Sequence, residues 1–295
     1  MDTDAVLVIG ATGQQGGAVA RALLARGVRV HAFVRDPAGA PALALQDAGA
    51  VLVPGDLDDR QSLESALAGV RRVFMALTMM TGPVITAEGI ALEERRGKAV
   101  ADLAARAGID HLVYSSLSGA GQGTGIPYIE GKERIERHLH ARNLPATVLR
   151  PVSFMENFLS YNRPALIDGE LTVSLAIGPT TPLALIAVAD IGQAAALAFA
   201  HPGDLVGRHL HISGDLRTGP QIAEVFGRAA GRPARFSTLP LERLRAFDPQ
   251  VAAMFAWFEQ RPAPEPDPAL KAHRFEPMTL ERWVRSIDWR PPTSP

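Results

Sequence analysis

The residues whose types and spacing could do chemistry begin at Gly10. The motif G-A-T-G-Q-Q-G-G (residues 10–17) follows the apolar run Val6 to Ile9. It leads straight into a helical pattern with Ala18, Val19, Ala22, Leu23 and Leu24 recurring at helix spacing. Strand, glycine turn and helix in that order form a cradle for phosphate. Gly10 permits the tight turn, Gly13 lets a pyrophosphate approach the backbone, and Gly16 or Gly17 lets the helix pack close to the strand. The free N–H groups of the helix start and its dipole then face the phosphates. The spacing G-x-x-G-x-x-G is one residue longer than the usual dinucleotide fingerprint.

A second constellation suits proton transfer. Tyr128 and Lys132 stand four apart at the start of a helix and so share a face. An ammonium beside a phenol favours phenolate and lowers the phenol's pKa, and it can also hold ribose hydroxyls. The phenol can then pass a proton to a carbonyl oxygen as hydride reaches the carbon. A serine at the neighbouring strand end, Ser115 or Ser116, would orient that oxygen, and Ser116 is favoured. A solvated helix face explains Y-x-x-x-K equally well when it stands alone; its place after the serines, in a chain with a dinucleotide loop, favours catalysis.

Ligands of an open parallel sheet bind beyond the carboxyl ends of its strands, so residues there come next. Arg35 ends the second strand and suits a 2′-phosphate, which favours NADP(H); Asp36, the alternative, would hold ribose hydroxyls and favour NAD. Asp56 and Leu57 follow the third strand at the expected adenine edge, although a turn aspartate accounts for Asp56 as well. Thr78 ends the fourth strand. Lys98 is either a cofactor contact or an ordinary exposed lysine. Pro151 and Phe154 would wall the nicotinamide or pack the entry to a second lobe. His138 and His140 point to different faces of a helix, and His209 and His211 share a strand face without an acid or cysteine to complete a site, so no metal site is expected. Met75, Met79 and Met80 suit packing or pocket lining, and Phe255, Trp257 and Phe258 an inter-lobe core, with a substrate pocket as the lesser reading.

The elements that must position these residues alternate. Strands are expected at Val6–Ile9, Val30–Val34, Ala50–Val53, Val73–Leu77, His111–Ser115 and Ala146–Leu149. Helices are expected between them, the longest over Glu88–Arg106 and the last from Tyr128 to Ala141. Such a run predicts an α/β fold, a doubly wound parallel sheet of the Rossmann kind over residues 1–152. Residues 153–295 are less regular and predict a smaller α+β substrate lobe roofing the sheet, with interdigitation left open. Within it helices are expected over Phe154–Tyr161, from an Asp190 cap to Ala200, and over Gly219–Ala230, Pro249–Gln260 and Thr279–Ile287. Strands are expected over Leu171–Ile177, Leu185–Val188 and Arg208–Ile212. The proline-rich stretch Pro262 to Pro268 predicts an ordered or semi-ordered loop.

Composition excludes several classes. Net charge is −1 with no charged block, which argues against nucleic acid as a partner. No apolar stretch approaches the ~18 residues of a membrane helix. The acidic start at Asp2 and Asp4 is unlike a secretory signal. Cysteine is absent, so disulfides and thiolate chemistry are out. A soluble cytoplasmic protein acting on a small molecule fits this profile.

Several motifs together, G-A-T-G-Q-Q-G-G, V-R-D-P, G-D-L-D-D, G-K-A-V-A-D-L-A-A-R-A-G followed by V-Y-S-S, L-R-P-V-S-F-M-E-N-F, V-A-D-I-G and M-T-L-E-R-W-V, resemble the NmrA-like group of atypical short-chain dehydrogenases/reductases over nearly the whole chain. The long glycine spacing is the one that group uses. The resemblance implies NADP(H) at Gly10, Thr12, Gly13, Gln14, Gln15, Gly16, Arg35 and Lys98, with Lys132 near the nicotinamide ribose. It also implies one of two functions. One is an NADPH-dependent reductase of a small conjugated carbonyl, quinone or aromatic substrate; the other is an NADP(H)-sensing regulator without turnover that binds a protein partner. Tyr128 with Lys132 departs from the sensor pattern and favours the reductase. A nucleotide-sugar epimerase or lyase is disfavoured, because the second lobe lacks a basic cluster for a diphosphate. Homodimer formation is left open.

Overall fold

The computed structural model describes residues 4–261 and 263–292. Two compact units emerge. The first comprises residues 1–150, 191–211 and 267–275, and the second 151–190, 212–266 and 276–295. Two segments beyond the boundary expected at residue 152 thus belong to the first unit.

The first unit is built as the alternation predicts. Its elements are β1 (Val6–Ile9), α1 (Gln14–Leu24), β2 (Val30–Val34), α2 (Ala40–Asp47), β3 (Val51–Pro54), α3 (Arg60–Leu67), β4 (Arg72–Ala76), α4 (Ala87–Ala107), β5 (His111–Ser115), α5 (Pro127–Ala141) and β6 (Ala146–Pro151). The strand His209–Ile212 completes a seven-stranded sheet in the order 209–212, β6, β5, β4, β1, β2, β3. Every pairing among β1 to β6 is parallel. The central strands are apolar at successive positions because helices cover both faces; β1 is buried throughout. After β3 the chain returns to the other side of β1 to lay down β4. The carboxyl ends of β1 and β4 therefore form the switch point, where doubly wound sheets bind ligands.

Helices α4 and α5 run parallel, and acids on α4 meet bases on α5 in rising order. Glu94 pairs with Arg134 at 2.6 Å, and Asp102 meets His138 at 2.8 Å and Arg142 at 2.6 Å. A Cβ on Gly97 would come within 2.7 Å of the Ile135 side chain, so the helices touch there. That contact brings Glu93, one turn earlier on α4, to the level of Lys132 on α5.

The second unit holds two three-stranded sheets. One orders 215–218, 182–186 and 153–154; the other orders 234–238, 170–175 and 165–167. They enclose a core with Phe158, Phe226, Trp283 and Trp289, to which Phe255 and Phe258 belong. Several expectations are corrected here. Residues 153–154 form a short strand and Met155–Leu159 a 3₁₀ turn rather than one helix. The strand expected at 185–188 is Pro182–Ile186, and Val188 already opens a helix running to Ala200. That helix start is capped by Glu156, whose two carboxylate oxygens accept the Val188 N–H at 3.1 and 3.0 Å. Asp190 is therefore no cap; its carboxylate accepts the Met278 N–H at 2.8 Å. Of the proline-rich stretch, Pro262 lies outside the described residues, residues 263–267 carry no regular structure, and Pro268 opens a short helix.

Asp190 makes a testable stability contribution. Burial first, and the neighbouring Glu156 carboxylate, push its carboxyl up to about 6 from 3.8. The folded state therefore binds more protons than the unfolded chain between about pH 4 and 6, and stability falls as pH rises through that window. Asp190→Asn keeps an acceptor for Met278 and removes the fall. The variant should be more stable by about 1–3 kcal/mol at pH 7 and lose its advantage below pH 4, as followed by urea unfolding at several pH values.

Candidate active site

The glycine loop is shaped by the protein's own packing before any ligand is considered. Gly10 has φ +80°, and a Cβ there would lie 2.3 Å from the Ala76 carbonyl oxygen at the end of β4. A Cβ on Gly16 would lie 2.1 Å from the Gly10 carbonyl oxygen, which is why α1 can start directly over the turn. Gly13 differs. Its Cβ would meet only the Gly10 carbonyl oxygen, at 3.3 Å. Gly13 is the N-cap of α1, no side chain caps this end, and no acid stands in its first turn. Thr12, Gly13 and Gln14 are exposed. Uncapped N–H groups at the switch point, with exposed backbone around them, fit a phosphate ligand. Gly13→Ala should fold normally yet weaken NADPH binding about tenfold or more, whereas Gly16→Val should fail to fold stably; calorimetric titration and thermal melts separate the two.

Gln15 is fixed from the next part of the sheet. The Ser115 hydroxyl, at the end of β5, donates to Gln15 Oε1 at 2.5 Å. Ser115 is thereby committed to holding the loop. Ser116 is buried, and among the described residues its hydroxyl has no hydrogen-bond partner. A buried hydroxyl without a partner is costly in a finished fold and calls for an explanation such as a ligand. Between the two serines left open by the sequence, Ser116 is the one with an unused hydroxyl.

Tyr128 is buried in the first turn of α5. Lys132 is also buried, and its ammonium sits 2.7 Å from the Glu93 carboxylate, itself 1% exposed. It also lies 5.8 Å above the ring centre of Tyr114, within range of a cation–π contact. Burial, reinforced by Glu93 and Glu136, holds the Tyr114 phenol well above 10 and so neutral. To the expected role of Lys132, lowering the Tyr128 phenol's pKa and holding ribose hydroxyls, the structure adds a buried carboxylate partner. With a carboxylate at 2.7 Å, the field it exerts on other groups is that of an ion pair, and one of its donors is already used. Nothing local in the sequence announced Glu93, which comes from another helix 39 residues away.

The adenine side is mixed. Arg35 is exposed and makes no ion pair or hydrogen bond among the described residues. Asp36 is exposed too, and its Oδ1 accepts the Ala38 N–H at 3.0 Å. Asp56 is a turn residue accepting the Asp58 N–H at 2.9 Å, and Leu57 packs against the core. Asp58 gathers Arg96 in a two-pronged pair and Arg95 at 3.8 Å, and these cations, with Arg35 further off, hold its carboxyl below the usual range. Thr78 is exposed and accepts the Met80 N–H at 3.0 Å. Lys98 pairs with Glu94, one turn earlier, at 2.6 Å. Pro151 and Phe154 fall in the second unit, Pro151 ending β6 and Phe154 pairing with Ile186.

Comparison with known proteins follows the same lines. A family model described as "NmrA-like family" matches residues 2–284. An NAD(P)H azoreductase of Xenophilus azovorans is 27% identical over 240 residues, 81% of this chain and 79% of that protein. A (4-alkanoyl-5-oxo-2,5-dihydrofuran-3-yl)methyl phosphate reductase of Streptomyces griseus is 30% identical over 263 residues, 87% and 86%. Among solved structures, NmrA, a negative transcriptional regulator in complex with NADP, superposes with a TM-score of 0.78 at 23% identity, covering 97% of this chain and 96% of the other.

Proposed function

From the premise that the chain belongs to the NmrA-like family, we propose that it is an NADPH-dependent reductase delivering hydride to a small conjugated carbonyl, quinone or aromatic substrate. The observation that carries this reading is the buried, partnerless hydroxyl of Ser116 at the end of β5, two strands from the uncapped start of α1. A hydroxyl that the fold leaves unused there suits a substrate atom that gains negative charge. Similarity to two reductases supports the same reading.

NADPH, when bound, supplies the hydride. The N–H groups at the start of α1 hold its pyrophosphate, and Arg35 its 2′-phosphate. The Ser116 hydroxyl orients the substrate atom that gains negative charge. The Tyr128 hydroxyl gives that atom its proton. Lys132, paired with Glu93, sets the polarity around the first turns of α5 and does not act as an isolated cation.

Two measurements test this. Purified protein should oxidise NADPH in the presence of at least one member of a panel of quinones, azo dyes and conjugated ketones; tight NADPH binding with no turnover across the panel would refute the reductase. Arg35→Ala should weaken NADPH by about 10- to 100-fold and leave NADH within about twofold, in fluorescence titrations of both. Equal losses for the two cofactors would remove Arg35 from the 2′-phosphate.

One observation favours a regulator that binds NADP(H) without turnover. The ammonium that would activate Tyr128 is already neutralised by Glu93, and NmrA itself is described as a transcriptional regulator. That reading requires different affinities for NADPH and NADP⁺, since a ligand pair bound equally cannot shift a conformational balance.

A further inference from the structure

One group of ligating side chains lies outside this site. His201, Asp204 and His273, all in the first unit, each present one ligand atom, and these atoms lie within 4.8 Å of one another. A turn brings the first two together, with the Asp204 N–H donating to the His201 carbonyl at 3.2 Å as the short helix Pro202–Leu205 begins. His273 arrives from far along the chain, at the C-terminal end of the helix Pro268–Ala272. Its Nε2 lies 3.3 Å from Asp204 Oδ2. Its ring stacks on that of His201, with centroids 4.0 Å apart and planes 18° apart. The two imidazoles are half-buried and Asp204 is exposed.

We propose that these three residues form a binding site for a borderline divalent cation of the zinc type. Two imidazole nitrogens and one carboxylate oxygen are a donor set such ions accept, with water completing a tetrahedron on the exposed side. The His201 ring makes no hydrogen bond among the described residues, so no other polar contact explains its being held against His273. Occupancy requires each ring to turn so that its in-plane lone pair points at the ion about 2.0 Å away. Both rings sit at ends of short helices, where their backbone positions bracket the ion.

The place of the cluster gives it a role. The chain leaves the first unit after His211 and re-enters it at Asp267, whose N–H donates to the His211 carbonyl at 3.0 Å. His201 and Asp204 precede the exit and His273 follows the return. An ion held by all three closes the loop that contains the whole 212–266 excursion, and because the site exists only in the folded chain its binding free energy adds to stability.

The test uses the untagged full-length protein stripped by chelator. Zn²⁺ titrated calorimetrically should saturate at one equivalent, with Kd of about 10 μM or tighter. Co²⁺ should give the intense visible bands of a tetrahedral nitrogen–oxygen site. Zn²⁺ at ~100 times Kd should raise the melting temperature by several degrees. His201→Gln and His273→Gln should each weaken binding by about tenfold or more, with far-UV circular dichroism unchanged, while His211→Gln binds as the parent does. Asp204→Asn, at an exposed position, gives the same answer if a histidine variant fails to fold. No saturable binding, or binding that survives in the His201→Gln/His273→Gln protein, overturns the proposal.

Discussion

Glu93→Ala is expected to destabilise the protein by about 3–5 kcal/mol. The cause is the buried ammonium left behind. Lys132 sits 2.7 Å from Glu93 and 5.8 Å above the ring of Tyr114, with burial on every side. A lone ammonium there must either remain charged without a counter-ion or give up its proton, and both cost free energy. The pair as such contributes much less than the loss of one partner costs, because desolvating both groups offsets most of their attraction. Glu93→Ala combined with Lys132→Met should therefore recover most of the loss. Urea unfolding of Glu93→Ala, Lys132→Met and the double variant measures this. If the double variant lost as much as the two singles summed, the Glu93–Lys132 contact would not be a coupled buried ion pair.

Tyr128→Phe carries the largest effect on turnover. Removing a positioned proton donor should lower kcat by about 10²–10⁴-fold while NADPH affinity stays within about twofold. Ser116→Ala is its companion and has an unusual signature. Because the Ser116 hydroxyl is buried with no partner, deleting it leaves no other group unsatisfied. Stability should hold or rise slightly while kcat falls by about tenfold or more. A purely structural serine would show the reverse, lost stability with intact kcat. Ser115→Ala serves as the contrast: its bond to Gln15 predicts weakened NADPH binding through a loosened loop.

Much of the first unit was legible because its signals are local. Strands β1, β2 and β5 stand where unbroken apolar runs between turn residues place them. The uncapped start of α1 follows from glycine at its N-cap. The second unit was less legible. Its strands at 215–218 and 234–238 are short and partly exposed, so they carry no clear alternation. Asp190 reads as a helix cap because aspartate often is one; the actual cap is Glu156, 32 residues before the Val188 N–H that it accepts. The same limit applied at the site. The spacing of Tyr128 and Lys132 was visible, but Glu93 beside Lys132 depends on how α4 and α5 pack. His138 with His140 and His209 with His211 are close in sequence and visible as pairs there, whereas His201 and His273 meet only in the folded chain.

The central claim is that hydride leaves the bound cofactor for a substrate. The most direct measurement follows the label. NADPH deuterated at both C4 positions is incubated with the protein and a quinone, azo dye or conjugated ketone, and the product and cofactor are read by mass spectrometry. Cofactor oxidation matched by enzymatic transfer of one deuterium, retained in the product where the acceptor atom is carbon, and absent with Tyr128→Phe, is the predicted result. Tight NADPH binding with no cofactor oxidation and no labelled product, across the whole panel, would contradict it.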